Sequence, residues 1–138
     1  MIVVTSLGPQ SAALLHLLRR LHLPTYWISA EAATDYQKDL IDRFRVVVTA
    51  PLGGRSKRDV VAQLIQEHRS EIWFTGIRRC QTPERAGMLG VQEHLGAIRC
   101  APMFEWSDQD LLAYLEKHAL PHEPLPTTKV ECGLHTED

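Results

Sequence analysis

The chain has 138 residues, 44% of them hydrophobic and 23% charged, with a formal net charge of −2 and three cysteines. That length suffices for one domain with its own core, without disulfides or metals to hold it together. The near-neutral balance excludes a general polyanion-binding surface, and the odd, unevenly spaced cysteines exclude a disulfide framework or a CxxC metal site. No apolar run approaches the roughly 20 residues that span a bilayer, and the opening Met-Ile-Val-Val-Thr is too short and uncharged for a signal peptide. A reducing cytoplasmic setting is expected, with no membrane, nucleic-acid or metal partner.

Ile2-Val3-Val4-Thr5 is a β-branched run and reads as a buried strand. Ser6-Leu7-Gly8-Pro9 breaks it, and Gln10–Leu23 follows as a helix whose leucines at 14, 15, 17, 18 and 21 mark a buried side. A strand, a glycine turn and a helix open an α/β unit, and the turn sets free N–H groups at the positive end of the helix, a setting suited to phosphate. Tyr26–Ser29 reads as a second strand, Asp35–Phe44 as a helix with Leu40, Ile41 and Phe44 on one face, and Arg45–Thr49 as a third strand.

Gly53-Gly54-Arg55 then leads into a helix over about 57–68. Ser56 is its expected N-cap, Asp59 holds the capping-box position, and Val60, Val61, Leu64 and Ile65 form its buried stripe. Ile72–Thr75 is a fourth strand, and Pro83 suits the first turn of a short helix that ends by Gly87 or Gly90. Ala97–Ala101 is a fifth strand, Ser107 caps a helix over Asp108–His118, and the three prolines after it describe an extended tail. The expected division is an α/β domain over 1–118 and a tail over 119–138. Alternation at this spacing implies a doubly wound, mainly parallel five-stranded sheet with helices on both faces.

In such folds ligands lie beyond the carboxyl ends of the strands, where the strand order reverses. Ser6–Ser11, Gly53–Arg58 and Gly76–Arg85 each follow a strand, so they fall at one end of the sheet. The basic residues bunch in the last two stretches, as Arg55, Lys57 and Arg58, and as Arg78, Arg79 and Arg85. Bunching under a slightly acidic total points to a local anion site. The tail supplies the nucleophile: Val130-Glu131-Cys132-Gly133-Leu134-His135-Thr136 sets a thiol, an imidazole and a carboxylate within five positions. A thiol with a reference pKa near 8.5 needs cations beside it to ionise at neutral pH, and Glu131 acts in the opposite direction, so those cations come from elsewhere in the fold.

With these segments on the page the chain resembles the phosphoadenylyl-sulfate (PAPS) reductase family, within the PP-loop group of adenine-nucleotide-binding α/β proteins. The matching residues are Ser6-x-Gly8-x-Gln10-Ser11-Ala12, Trp73-Phe74-Thr75-Gly76-Ile77-Arg78-Arg79-x-Gln81 with Arg85-Ala86, Pro102-x-x-Glu105-Trp106-Ser107-Asp108 with Tyr114-Leu115, His122-x-Pro124-Leu125, and Glu131-Cys132-Gly133-Leu134-His135. They occur in family order. The resemblance implies reduction of a phosphosulfate (PAPS, or its relative APS) to sulfite and an adenosine phosphate in sulfate assimilation. Cys132 becomes an S-sulfocysteine, and thioredoxin or glutaredoxin is the external reductant.

By the same resemblance Cys132, His135 and Glu131 are catalytic. Ser6, Gly8, Gln10 and Ser11 lie at the nucleotide, and Gly76, Arg78, Arg79 and Arg85 face the phosphosulfate. Arg55 and Lys57 join as further anion contacts. No iron–sulfur cluster is expected, because the paired cysteines of that subgroup are absent. The acidic second-strand loop of the family is replaced by Ser29-Ala30-Glu31-Ala32-Ala33-Thr34-Asp35-Tyr36. The tail is long enough to reach its own site or a neighbour's in a homodimer. Two other readings stand beside this one: a module that binds an adenine nucleotide without turnover, and an ATP-using PP-loop enzyme, whose Ser-Gly-Gly-x-Asp-Ser loop this chain lacks.

Overall fold

The computed structural model describes residues 1–28, 32–49 and 54–123. The opening β-branched run forms β1 (Ile2–Thr5), buried along its whole length. It is followed by α1 (Ser11–Leu18), β2 (Thr25–Trp27), α2 (Asp35–Phe44), β3 (Val47–Val48), α3 (Lys57–Glu67) and β4 (Ile72–Phe74). The second half holds α4 (Pro83–Ala86), β5 (Val91–His94), β6 (Ala97–Cys100) and α5 (Asp108–Lys117). The strands form one sheet in the order β3-β2-β1-β4-β6-β5, parallel throughout except for the antiparallel β5–β6 pair.

Alternate residues of the strands face two separate apolar layers, as the period of two requires. Val3, Trp27 and Phe74 lie on the face covered by α1, α2 and α5, where Leu14, Leu40, Leu111 and Leu115 are fully buried. Ile2, Val4 and Trp73 face the other way, against Val60, Val61 and Ile65 of α3. Helices therefore cover both faces, as expected. The chain past α5 stays with the core at first: Leu120 is buried in the first layer, and its N–H donates to the Leu115 carbonyl (2.9 Å).

The expected helix starts are present. Ser107 Oγ accepts from the Asp110 N–H (3.1 Å), and Asp110 Oδ2 accepts from the Ser107 N–H (3.0 Å), closing a capping box. Ser56 Oγ accepts from the Asp59 N–H at 3.1 Å, and Pro83 occupies the first turn of α4. A further capping box, Thr34 with Gln37, starts α2.

Two expectations need correction. The sheet has six strands where five were expected, because Val91–His94, to which no element was assigned, forms an edge strand. Three of its four residues are exposed, so it lacks the apolar alternation that identifies a half-buried strand. Its turn, Leu95-Gly96, has φ of +57° and +81°, the two positive angles of a tight hairpin turn. The first helix also ends early. It tightens at Arg19–Leu21 into a single 3₁₀ turn and leaves Leu21 half-exposed, so the leucine stripe runs past the structured face.

Candidate active site

The strand order reverses between β1 and β4, which carry the loops Ser6–Gln10 and Thr75–Arg78. Geometry brings these loops together. A Cβ added at Gly76 would meet Leu14 Cδ2 at 3.4 Å and Gln10 Cγ at 3.5 Å, so the backbone of the second loop lies directly on the first. The segment after β6 joins them, with the Arg79 N–H donating to the Phe104 carbonyl (2.8 Å) and the Thr75 N–H to the Cys100 carbonyl (3.1 Å).

The first loop is held in an unusual conformation. Leu7 is fully buried at φ +53°, in the left-handed region that costs a branched side chain of this kind free energy. Its N–H donates to Thr5 Oγ1 (3.0 Å), and that hydroxyl donates to Ser11 Oγ (2.9 Å). Two side chains of α2 complete the frame: Tyr36 donates its hydroxyl to the Gly8 carbonyl (3.0 Å), and Gln37 Nε2 donates to the Leu7 carbonyl (3.3 Å). Burial raises the Tyr36 phenol above its ordinary range, the nearby Glu123 carboxylate adds to the rise, and the Ala12 backbone N–H opposes it. Gln10 and Ser11 are both buried at the start of α1. The stretch ending at Tyr36 departs from the family pattern in sequence, yet it supplies this frame. The signal available was the Thr34-x-x-Gln37 capping box, which fixes where α2 starts and so where Tyr36 points.

The three arginines fall into different environments. Arg78 is 1% exposed, its Nη2 donates to Asp108 Oδ1 (2.9 Å), and its Nη1 reaches the Trp106 carbonyl at 3.4 Å. Its Nε has no hydrogen-bond partner among the described residues. Arg85 is also buried, donating to Gln81 Oε1, which in turn accepts from the Arg78 N–H at 2.7 Å. Arg79 is the accessible one. It makes a two-pronged contact with Glu105, Nε–Oε1 2.9 Å and Nη2–Oε2 2.8 Å, with its guanidinium carbon 4.9 Å from the centre of the Phe104 ring. The hydrogen bonds from Arg79 hold the Glu105 carboxyl below its usual range.

Arg55 and Lys57 flank the start of α3, where Arg55 donates to Gln63 and both residues keep exposed surface. Cys132, His135 and Glu131 lie outside the described residues. Among the described residues no group of three or more His, Cys, Asp or Glu side chains is arranged to hold a metal ion. No helix among them is long and apolar enough to cross a membrane. Cys80 is exposed, and burial raises the Cys100 thiol above its ordinary value, which disfavours its ionisation.

A mainly parallel sheet with helices on both faces and its loops gathered at the β1–β4 reversal defines a doubly wound α/β protein. Solved structures share this fold. An FMN adenylyltransferase from Candida glabrata, in complex with FAD and pyrophosphate, superposes with a TM-score of 0.64 at 14% identity, covering 83% of this chain and 47% of that one. A U34-tRNA thiolase from Methanococcus maripaludis, with its [4Fe-4S] cluster, gives 0.58 at 12% identity over 96% of this chain and 63% of that one.

The chain belongs to the phosphoadenosine phosphosulfate reductase domain family, whose model matches residues 52–130, more than half of its length. Its relatives include proteins named phosphoadenosine 5'-phosphosulfate reductase. The one from Xanthomonas campestris is 36% identical over 69 residues, covering 50% of this chain and 29% of that protein. The one from Vibrio vulnificus is 29% identical over 60% of this chain and 43% of that protein. The one from Xanthomonas oryzae is 29% identical over 88% of this chain and 64% of that protein. The chain therefore spans less than two thirds of the length of each of these relatives.

Proposed function

We propose that this chain binds phosphoadenylyl sulfate at the carboxyl ends of β1 and β4 and reduces it to sulfite and adenosine 3',5'-bisphosphate in sulfate assimilation. The observation that carries the reading is the family match over 52–130, which runs through the arginine segment and up to the cysteine motif. The meeting of Gly76 with Gln10 supports it, since it joins the two loops into one site. Ser6, Gly8, Gln10 and Ser11 then hold the nucleotide. Arg79 meets the phosphosulfate by exchanging Glu105 for the substrate's oxygens, and Arg78 and Arg85 frame the loop from beneath, with Arg55 and Lys57 adding positive potential from α3.

In this reading the Cys132 thiolate attacks the sulfonyl sulfur. A sulfur–sulfur bond forms while the bond from sulfur to the bridging phosphate oxygen breaks, and the bisphosphate leaves with the electron pair. Guanidinium forks aimed at the leaving phosphate stabilise the charge that develops there. A thiolate of thioredoxin or glutaredoxin then attacks Cys132 Sγ and expels sulfite, which carries off the electron pair of the broken bond. The reductant's second thiol resolves the mixed disulfide, so the dithiol is oxidised by two electrons and Cys132 returns as a thiol. His135 favours the Cys132 thiolate as imidazolium, and Glu131 orients that imidazole. Cys132 lies nine positions past Glu123, a reach of up to about 30 Å, so the thiol can serve its own site or that of a second copy.

The short span relative to the relatives favours one second reading, a nucleotide-binding module without turnover. Sulfite release from PAPS and from APS, each with thioredoxin and a dithiol supplied, separates the two. Release from PAPS supports the reductase. Binding of adenosine bisphosphate without sulfite from either substrate supports the module.

A further inference from the structure

A cleft of about 510 Å³ opens at the opposite end of the sheet, beneath the amino ends of β1, β2 and β3. That volume falls within the range of about 300–1,000 Å³ typical of small-molecule sites. Its apolar wall is built by Leu15, Leu18, Leu23 and Phe44, and its rim by Arg19, His22, Arg43 and Arg45. None of its lining residues is acidic. We infer that this cleft binds a small amphipathic anion, a molecule with an apolar body and a single carboxylate, sulfonate or phosphate head.

Three observations carry this. First, the polarity is divided as such a ligand requires, with the side chains of α1 and α2 forming the wall and the cations at the ends of those helices. Second, His22 and Arg45 sit at φ +52° and +54°, left-handed positions that end helical segments and that glycine occupies at least cost. The turns do not demand a basic residue there, yet both carry one, and both line the cleft. Third, the partial negative charge of the helix ends, which would oppose an anion, is covered. Arg19 Nη1 donates to the His16 carbonyl (2.7 Å), and the Val46 N–H closes on the Ile41 carbonyl (3.0 Å). Arg43 is paired with Asp39 at 3.5 Å, with both side chains about half-exposed. Arg45 has no ion-pair partner among the described residues.

Amide-resolved titration of the full chain with octanoate below its micelle concentration tests the inference, with octanol and octylammonium as neutral and cationic counterparts of the same chain length. The expected result is saturable shifts confined to the neighbourhood of Leu18–Thr25 and Phe44–Val47, with octanol and octylammonium each weaker by about tenfold or more. His22→Gly with Arg45→Gly is expected to melt at or above the wild-type temperature while losing about tenfold or more in octanoate affinity. Arg45→Gln, which keeps the side chain's bulk, is expected to weaken octanoate without altering octanol. Equal binding of octanol, shifts at the β1 and β4 loops instead, or unchanged octanoate affinity in the glycine pair would each overturn the inference.

Discussion

Tyr36→Phe removes one oxygen atom and tests whether the frame around the first loop matters to ligand binding. The lost hydrogen bond runs from the partly buried phenol to the Gly8 carbonyl at 3.0 Å. That carbonyl keeps a second donor, the Ser11 N–H at 3.1 Å, so it is not orphaned. The cost is therefore that of one neutral hydrogen bond, about 0.5–1.5 kcal/mol, and not the larger penalty of an unsatisfied buried group. For a chain of this size that corresponds to a fall of roughly 2–6 °C in melting temperature. The same bond restrains the loop that carries Leu7 in its left-handed conformation. Part of the cost is then transferred to binding, because the ligand must order a looser loop. With about half of that cost falling on binding, calorimetric titration with adenosine 3',5'-bisphosphate is expected to show affinity reduced by about 1.5- to 3.5-fold. A variant that melts lower yet binds the bisphosphate as tightly as wild type would refute the link from this frame to the nucleotide.

The arginines separate by burial. Asp108→Ala leaves the Arg78 guanidinium buried without its carboxylate and should lower stability in urea by roughly 2–3 kcal/mol, the full cost of a broken buried pair being reduced because Asp108 is half-exposed. Arg79→Ala should leave the urea midpoint close to that of wild type, since its pair with Glu105 is exposed, while sulfite production falls about tenfold or more. Lys at this position should rescue poorly, because a point charge does not reproduce the fork. His16 gives a pH dependence. Its folded pKa lies below the unfolded value, so the unfolded chain binds more protons as pH falls through the mid-6 range, and stability should decline there. His16→Gln should flatten that decline, whereas an equally steep fall in the variant would place its origin elsewhere.

Much of the fold was legible because its signals are local. A β-branched run marked β1, helix periodicity marked α2, α3 and α5, and Ser56, Pro83 and Ser107 marked three starts that the structure contains. What was hidden is tertiary in origin. Val91–His94 is a strand because it pairs with β6 at the sheet edge, not because of any apolar period of its own. The bunched arginines show the same limit. A sequence shows where positive charge accumulates, but Arg78 and Arg85 turn inward to Asp108 and Gln81 while Arg79 stays accessible. Tyr36, thirty-one residues from the strand whose loop it frames at Gly8, acts through contacts that only folding creates.

The central claim is that a thiol in the Glu131–His135 motif accepts the sulfonyl group of a nucleotide held by the β1 and β4 loops. It is tested most directly without any reductant, by mixing the protein with PAPS alone and analysing intact protein and peptides by mass spectrometry. The account predicts one sulfonate per chain, on the peptide containing Cys132, with release of one bisphosphate and no adduct in Cys132→Ser. An adduct on Cys80 or Cys100, or bisphosphate release with Cys132 unmodified, would contradict it.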